Sequence, residues 1–144
     1  MKNYISIIAA LSFIFLLSCS KTDSGGGTPT PNPPPAPAEE KIVFGLDPDP
    51  GSTTVASTGN TYAFKVNVTS KIPAAGIKVE LTTKKEVDGS TLSEGTKTID
   101  PYTTGSEISI GGLSTGTLYN VSIVVASKGT SSNTETKSFK IARK

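Results

Sequence analysis

The chain has 144 residues with 14 basic and 12 acidic side chains, a net charge of +2, and no histidine or tryptophan. This nearly balanced charge gives no electrostatic argument for binding nucleic acid. Because histidine is absent and there is only one cysteine, the usual zinc ligands and the commonest general base are missing. The sequence therefore indicates no catalytic residue, no metal site and no cofactor, and leaves only a carboxylate pair or a lysine for catalysis.

Residues 1–18 have the pattern of an export signal. Lys2 supplies positive charge, and the apolar run over residues 5–17 is shorter than the roughly 20 residues that span a bilayer. Leu16-Leu17-Ser18-Cys19 resembles the lipobox of bacterial lipoproteins. The resemblance implies cleavage before Cys19 and acylation of that cysteine, which would hold the protein on a membrane. An ordinary secretory signal is the alternative, but it leaves this single cysteine without a disulfide partner in the chain.

Residues 19–40 are predicted to form the lipidated cysteine and a disordered spacer. Its glycines favour flexibility, its prolines favour polyproline II, and it lacks apolar bulk for a packed core. Ser20 after the cysteine resembles outer-membrane sorting signals, and Lys21 with Asp23 resembles surface-export signals of Bacteroidetes-type lipoproteins. Solvation of a flexible tail is the alternative for that charged pair. The expected location is the outer membrane, on its periplasmic or its surface side.

Alternation of apolar and polar side chains dominates the chain from Lys41 onward and predicts β-strands separated by Gly, Pro, Asp and Ser turn signals. The predicted strands lie near residues 42–46, 62–68, 77–81, 97–99, 108–110, 119–125 and 139–141. Seven short strands predict an all-β fold, a seven-stranded β-sandwich over residues 41–144. The predicted core consists of Phe44, Phe64, Val66, Val79, Leu81, Ile108, Ile110, Leu113, Tyr119, Val121, Ile123 and Phe139.

Residues 108–123 resemble the region between strands E and F of fibronectin type III domains, which are immunoglobulin-like sandwiches. The positions that match are Leu113, Gly116, Thr117, Tyr119, Val121 and Ile123. The resemblance implies a tyrosine corner, in which the Tyr119 hydroxyl bonds a backbone group a few residues upstream and Leu113 packs in the core. Thr115 stands where the family has proline, and the family's core tryptophan is missing. A more general immunoglobulin-like variant therefore remains an alternative.

Three further stretches are candidate sites. Asp47-Pro48-Asp49 could offer carboxylates to Ca²⁺, but no third ligand is recognisable, and a solvated turn is the simpler interpretation. Tyr102 could stack on a sugar ring at a loop tip and is a possible ligand contact, but the sequence favours the alternative, a side chain folded back onto the edge of the sandwich. Lys84-Lys85-Glu86 is most simply a soluble surface.

The sequence favours a non-enzymatic, lipid-anchored cell-envelope protein that presents one fibronectin type III-like domain for binding or scaffolding. Its partners would be the membrane, through the anchor, and an unidentified protein or glycan, with no nucleic acid. One alternative is an accessory carbohydrate-binding lipoprotein of a nutrient-uptake system. A small glycan-active enzyme is the other, and it would need two carboxylates facing each other about 5–10 Å apart in a cleft.

Lipidation gives the first testable prediction. Cys19→Ala removes the thiol that would be acylated, so we expect an uncleaved precursor and no labelling by a palmitate analogue, measured on whole cells. Normal labelling of the variant would rule out this anchor.

Overall fold

The computed structural model describes residues 37–144, and residues 1–36 with the predicted leader, Cys19 and most of the spacer lie outside this range. The described part is all-β. Its eight strands are β1 (Phe44–Asp47), β2 (Val55–Ser57), β3 (Tyr62–Val68), β4 (Ile77–Lys85), β5 (Thr91–Ile99), β6 (Glu107–Ile110), β7 (Leu118–Ser127) and β8 (Thr134–Arg143). Within residues 37–144 there is no helix of the length and apolarity needed to cross a membrane.

The strands form two sheets. The smaller sheet has the order β1-β3-β6, and the larger has the order β2-β8-β7-β4-β5. All neighbours are antiparallel except β2 and β8, which are parallel. The sheets share one core of buried apolar side chains. This arrangement confirms the predicted all-β, sandwich-like architecture.

The number of strands differs from the predicted seven. The additional strand, β2, has three residues and no alternation to reveal it, since it is defined by backbone pairing with β8. Strand β5 begins at Thr91, whereas the predicted strand begins at Lys97. The first half of β5 gives no alternating signal, because it is polar on both sides and only Leu92 and Gly95 are buried there. Both differences concern edge strands, whose positions depend on a neighbour more than on their own apolar pattern.

All twelve predicted core residues are buried, so that prediction is confirmed. The missed buried apolar residues are Ile42, Ile77, Leu92, Tyr102, Val125, Ala126 and Ile141. Four of them lie at the ends of predicted strands and continue the inward-facing series there: Ile42, Ile77, Val125 and Ile141. Leu92 and Tyr102, in contrast, are surrounded by polar residues in the sequence.

Gly95 marks an irregularity between β4 and β5. The register of the two strands shifts between Thr82 and Lys84. A Cβ atom on Gly95 would lie 2.6 Å from the Thr83 carbonyl oxygen and 2.8 Å from the Leu92 Cβ. Any other residue would force the backbones apart, so glycine is required where the bulge brings the two strands together.

The segment before β1 is hydrogen-bonded to the loop between β7 and β8, so the domain's contacts include residues that precede Lys41. The Asn133 Nδ2 donates to the Glu39 carboxylate at 3.1 Å and to the Glu40 carbonyl at 2.9 Å. The Ile42 N–H donates to the Asn133 Oδ1 at 3.0 Å. We call this set of contacts the N-terminal clasp.

The Glu39 carboxylate also lies against the loop itself. Hydrogen bonds from Ser127, Asn133 and Thr130 lower the pKa of this carboxyl, and they outweigh the opposing effect of burial. A Cβ atom on Gly129 would lie 2.7 Å from the Glu39 Oε1, so the glycine leaves room for the carboxylate. The contacts that Glu39 makes in the clasp therefore favour its charged form.

The clasp gives a pH-dependent prediction. A carboxyl whose pKa is lowered by folding stabilises the native state above its ordinary pKa of 4.5, and this contribution is lost as the pH falls through the lower folded value. Glu39→Gln should therefore lower the Tm at neutral pH, and its difference from wild type should shrink on acidification below 4.5. Melting curves over a pH series measure this difference.

Glu40→Gln is the matched control, because Glu40 contributes its backbone carbonyl to the clasp. Its melting temperature should follow wild type across the series. A Glu39→Gln difference that is constant with pH would contradict the role of the ionised carboxylate.

Candidate functional site

Cys19, the predicted lipidation site, lies outside the described residues, and its acylation stays a prediction. The other predicted site residues are all placed. They do not form one cluster: Tyr119 and Leu113 lie at the connection between β6 and β7, whereas Tyr102 lies between β5 and β6.

Tyr119 begins the inward-facing series of β7 and is fully buried. Its hydroxyl accepts a hydrogen bond of 2.7 Å from the Ser114 N–H, five residues upstream. Burial raises the pKa of the Tyr119 hydroxyl, but hydrogen bonds from Ser114 and Thr117 outweigh it and leave this pKa lowered. Leu113 is buried beside this turn, and its N–H donates to the Asn60 carbonyl at 3.0 Å. These contacts hold the connection between β6 and β7 against the core.

Tyr102 is a second structural tyrosine. Its side chain is 5% exposed, and its backbone N–H donates to the Ile77 carbonyl of β4 at 2.9 Å. Its hydroxyl lies 2.8 Å from the Ser106 carbonyl and 3.0 Å from the Val66 carbonyl, and it accepts from the Val66 N–H at 3.2 Å. The ring lies inside the protein, as the folded-back alternative predicts, so it is not available to stack on a sugar. The residue instead ties β4 of one sheet to β3 of the other.

The acidic turn after β1 also has a structural role. The Asp49 carboxylate accepts from the Gly51 N–H at 2.9 Å, a contact that closes a turn. Among residues 37–144, no group of three or more Asp, Glu or Cys side chains is arranged to hold a metal ion.

A polar surface lies on the outer side of the three central strands of the large sheet, which we call the β4–β7–β8 face. Backbone pairing places Thr82, Ser122 and Ser138 in one row across the three strands. The next row consists of Lys84, Asn120 and Lys140. These six side chains line a shallow recess of about 460 Å³.

A second recess, of about 500 Å³, lies at the other end of the same face. It contains two ion pairs, Lys78 with Glu80 at 2.7 Å and Lys128 with Asp100 at 2.5 Å. The hydrogen bond to Glu80 raises the pKa of the Lys78 ammonium. Each carboxylate is thus engaged by its own lysine, rather than facing the other across an open cleft as a glycosidase pair would.

The two recesses differ in their chemistry. The recess with Lys84 and Lys140 offers hydroxyl, amide and ammonium groups to solvent, so it can bind a ligand by hydrogen bonds and positive charge. The recess with Glu80 and Asp100 has its charges neutralised in pairs. The sequence carried a signal for this face, since most outward residues of β4, β7 and β8 are polar, but the cross-strand register was needed to align them.

No family model matches the chain, and neither the curated proteins nor the solved structures contain a match.

The tyrosines provide a matched set of substitutions. Tyr119→Phe removes one hydroxyl and leaves the Ser114 N–H without its hydrogen-bond partner. Tyr102→Phe likewise removes the hydroxyl that the Val66 N–H bonds. We expect each to destabilise the domain by about 1–3 kcal/mol, which lowers the Tm by several degrees for a domain of this size. Thermal unfolding followed by circular dichroism measures the loss.

Tyr62→Phe is the control, because Tyr62 is only partly buried and the same atom is removed. Its effect should be close to zero. If Tyr62→Phe destabilised the domain as much as Tyr119→Phe, the hydrogen bond to Ser114 would not be the reason for the loss.

Proposed function

We propose that this protein is a lipid-anchored, non-enzymatic component of the bacterial cell envelope that presents one β-sandwich as a binding or scaffolding domain. The observation that carries the proposal is the β4–β7–β8 face. Its outward side chains are mostly polar or charged over three adjacent strands and leave two shallow recesses, while the opposite side of the same strands is filled by the core. An open, rigid sheet face suits the recognition of an extended partner.

The finer fold that we propose is the fibronectin type III variant of the immunoglobulin-like sandwich. Strand β5 follows β4 and pairs with it in the larger sheet. In a constant-type immunoglobulin domain the strand that follows strand C is strand D, which lies in the opposite sheet with strands A, B and E. The hydrogen bond between Ser114 and the Tyr119 hydroxyl has the form of a tyrosine corner. Both features support this assignment.

The proposed location is the outer membrane, with Cys19 as the acylated residue. The support comes from the lipobox-like residues 16–19 and from the proline-rich stretch between Cys19 and the domain. The segment that leads into β1 is held by the N-terminal clasp, so the domain has a defined point of attachment to this stretch.

An accessory carbohydrate-binding role is the second candidate. It is favoured by the hydroxyl row of Thr82, Ser122 and Ser138, because hydroxyl groups both donate and accept hydrogen bonds, as sugar hydroxyls do.

Thiol protection in the native envelope tests whether the face is occupied. Thr136→Cys places a thiol at an exposed position of the β4–β7–β8 face, and Ala63→Cys places one on the outer side of the small sheet. We expect the thiol at position 136 to react slowly with a maleimide in isolated envelopes and rapidly in the purified protein. Mass-tagged gels measure both rates.

The thiol at position 63 should react equally in the two preparations. Equal reactivity of both thiols in envelopes and in purified protein would contradict a binding role for this face.

A further inference from the structure

We propose that the recess between Lys84 and Lys140 binds an acidic polysaccharide, one whose sugars carry carboxylate or sulfate groups. This inference rests on the proposed binding function and adds the class of ligand. We call the six side chains of the two rows, namely Thr82, Lys84, Asn120, Ser122, Ser138 and Lys140, the lysine plate.

The geometry of the lysine plate is fixed by backbone pairing. Lys84 pairs with Asn120, and Asn120 pairs with Lys140, so the three side chains leave the sheet in one line. Neighbouring strands lie about 4.8 Å apart, which places the two lysine Cα atoms about 10 Å from each other. Two ammonium groups with an amide between them can bind anionic groups spaced along one chain.

The lysines of the β4–β7–β8 face are not equally paired with carboxylates, which favours an anionic ligand at the end where a lysine lacks a partner. At one end Lys78 and Lys128 each have a carboxylate partner. On the plate, Lys140 bonds Glu86 at 2.6 Å, and Lys84 has no carboxylate within 4.0 Å among residues 37–144. The plate therefore has two lysines for one carboxylate, and an incoming anion would complete the missing pair.

Backbone pairing disfavours a peptide as the ligand. Strand β7 is paired with β4 on one side and β8 on the other, so its backbone has no free edge to which an extended peptide could add as a strand. The plate also lacks an apolar side chain pointing outward that could hold a peptide anchor. Its exposed groups are hydroxyls, an amide and ammonium groups, all of which are suited to sugar hydroxyls and acidic substituents.

Nucleic acid fits the plate less well than a polysaccharide. Binding to single strands combines several phosphate contacts with stacking of bases on aromatic rings. Two lysines supply few phosphate contacts, and the outward residues of β4, β7 and β8 include no aromatic ring. The same lack of rings means that binding to sugars depends on charge, so it should weaken as salt is added.

The test measures binding of the detergent-solubilised full chain to three polysaccharides by affinity electrophoresis and calorimetry. Polygalacturonate carries carboxylates, dextran sulfate carries sulfates and dextran is neutral. We expect binding to one or both acidic probes, none to dextran, and weakening with salt. A carboxylate-only or sulfate-only result supports the proposal and identifies the acidic group.

Substitutions locate the binding. Lys84→Gln with Lys140→Gln should weaken binding by about tenfold or more, equivalent to at least 1.4 kcal/mol. Asn120→Ala should also weaken it, although it leaves the charge unchanged. The matched control is Lys65→Gln with Lys71→Gln, which removes the same charge from exposed positions off the face and should have little effect.

Three outcomes would overturn the proposal: no binding to either acidic probe, equal binding to dextran, or equal loss from the control pair. These outcomes differ from failure of the proposed function, which predicts protection of the thiol at position 136 whatever the ligand. Protection without binding to the acidic probes would leave a binding face with another partner.

Discussion

The pairing of β7 with both of its neighbours is the constraint on which the rest of this structure depends. From Leu118 to Ala126 the strand is matched residue by residue with β8, and from Tyr119 to Ser127 with β4. Its inward residues are buried, and its first inward residue, Tyr119, ties the preceding loop to the core. Displacing this strand by one residue would exchange its buried and exposed sides, so the register is strongly specified.

The same constraint separates stability from recognition. The inward side chains of β7 contribute to the core, where losing a large apolar group typically costs 2–5 kcal/mol. The outward side chains, such as Asn120 and Ser122, lie on the surface, where substitutions usually change stability by about 0.5 kcal/mol or less. The outer face can therefore differ in chemistry without changing the fold, which is the arrangement expected of a scaffold with a binding surface.

Sequence patterns predicted the parts of the fold in which apolar and polar residues alternate. Strands such as β3 and β7 were found because one side of each is buried. Strand β5 was mostly missed because Thr, Ser and Glu on both sides give no such signal, and its place is set by pairing with β4. Tyr102 was kept as a possible ligand contact because no local pattern shows that its hydroxyl reaches the backbone of Val66, 36 residues earlier in the chain.

The candidate site was the least predictable part, for a physical reason. Lys84, Asn120 and Lys140 are each ordinary exposed strand residues, and Lys84 in particular was interpreted as part of a soluble surface. Their alignment follows from two separate registers, between β4 and β7 and between β7 and β8. Registers of this kind are set by core packing and turns, which a search for local motifs does not capture.

The position of the lysine plate along β7 has a consequence for how the domain is held. The N-terminal clasp grips the loop that follows Ser127, whereas the plate is centred on Asn120, near the other end of the strand. Seven residues of strand separate the two positions, roughly 23 Å at 3.3 Å per residue. A ligand on the plate therefore has no need to displace the segment that leads into β1. The clasp and the proposed binding surface lie at opposite ends of one strand, and the pairing of that strand on both sides keeps them apart.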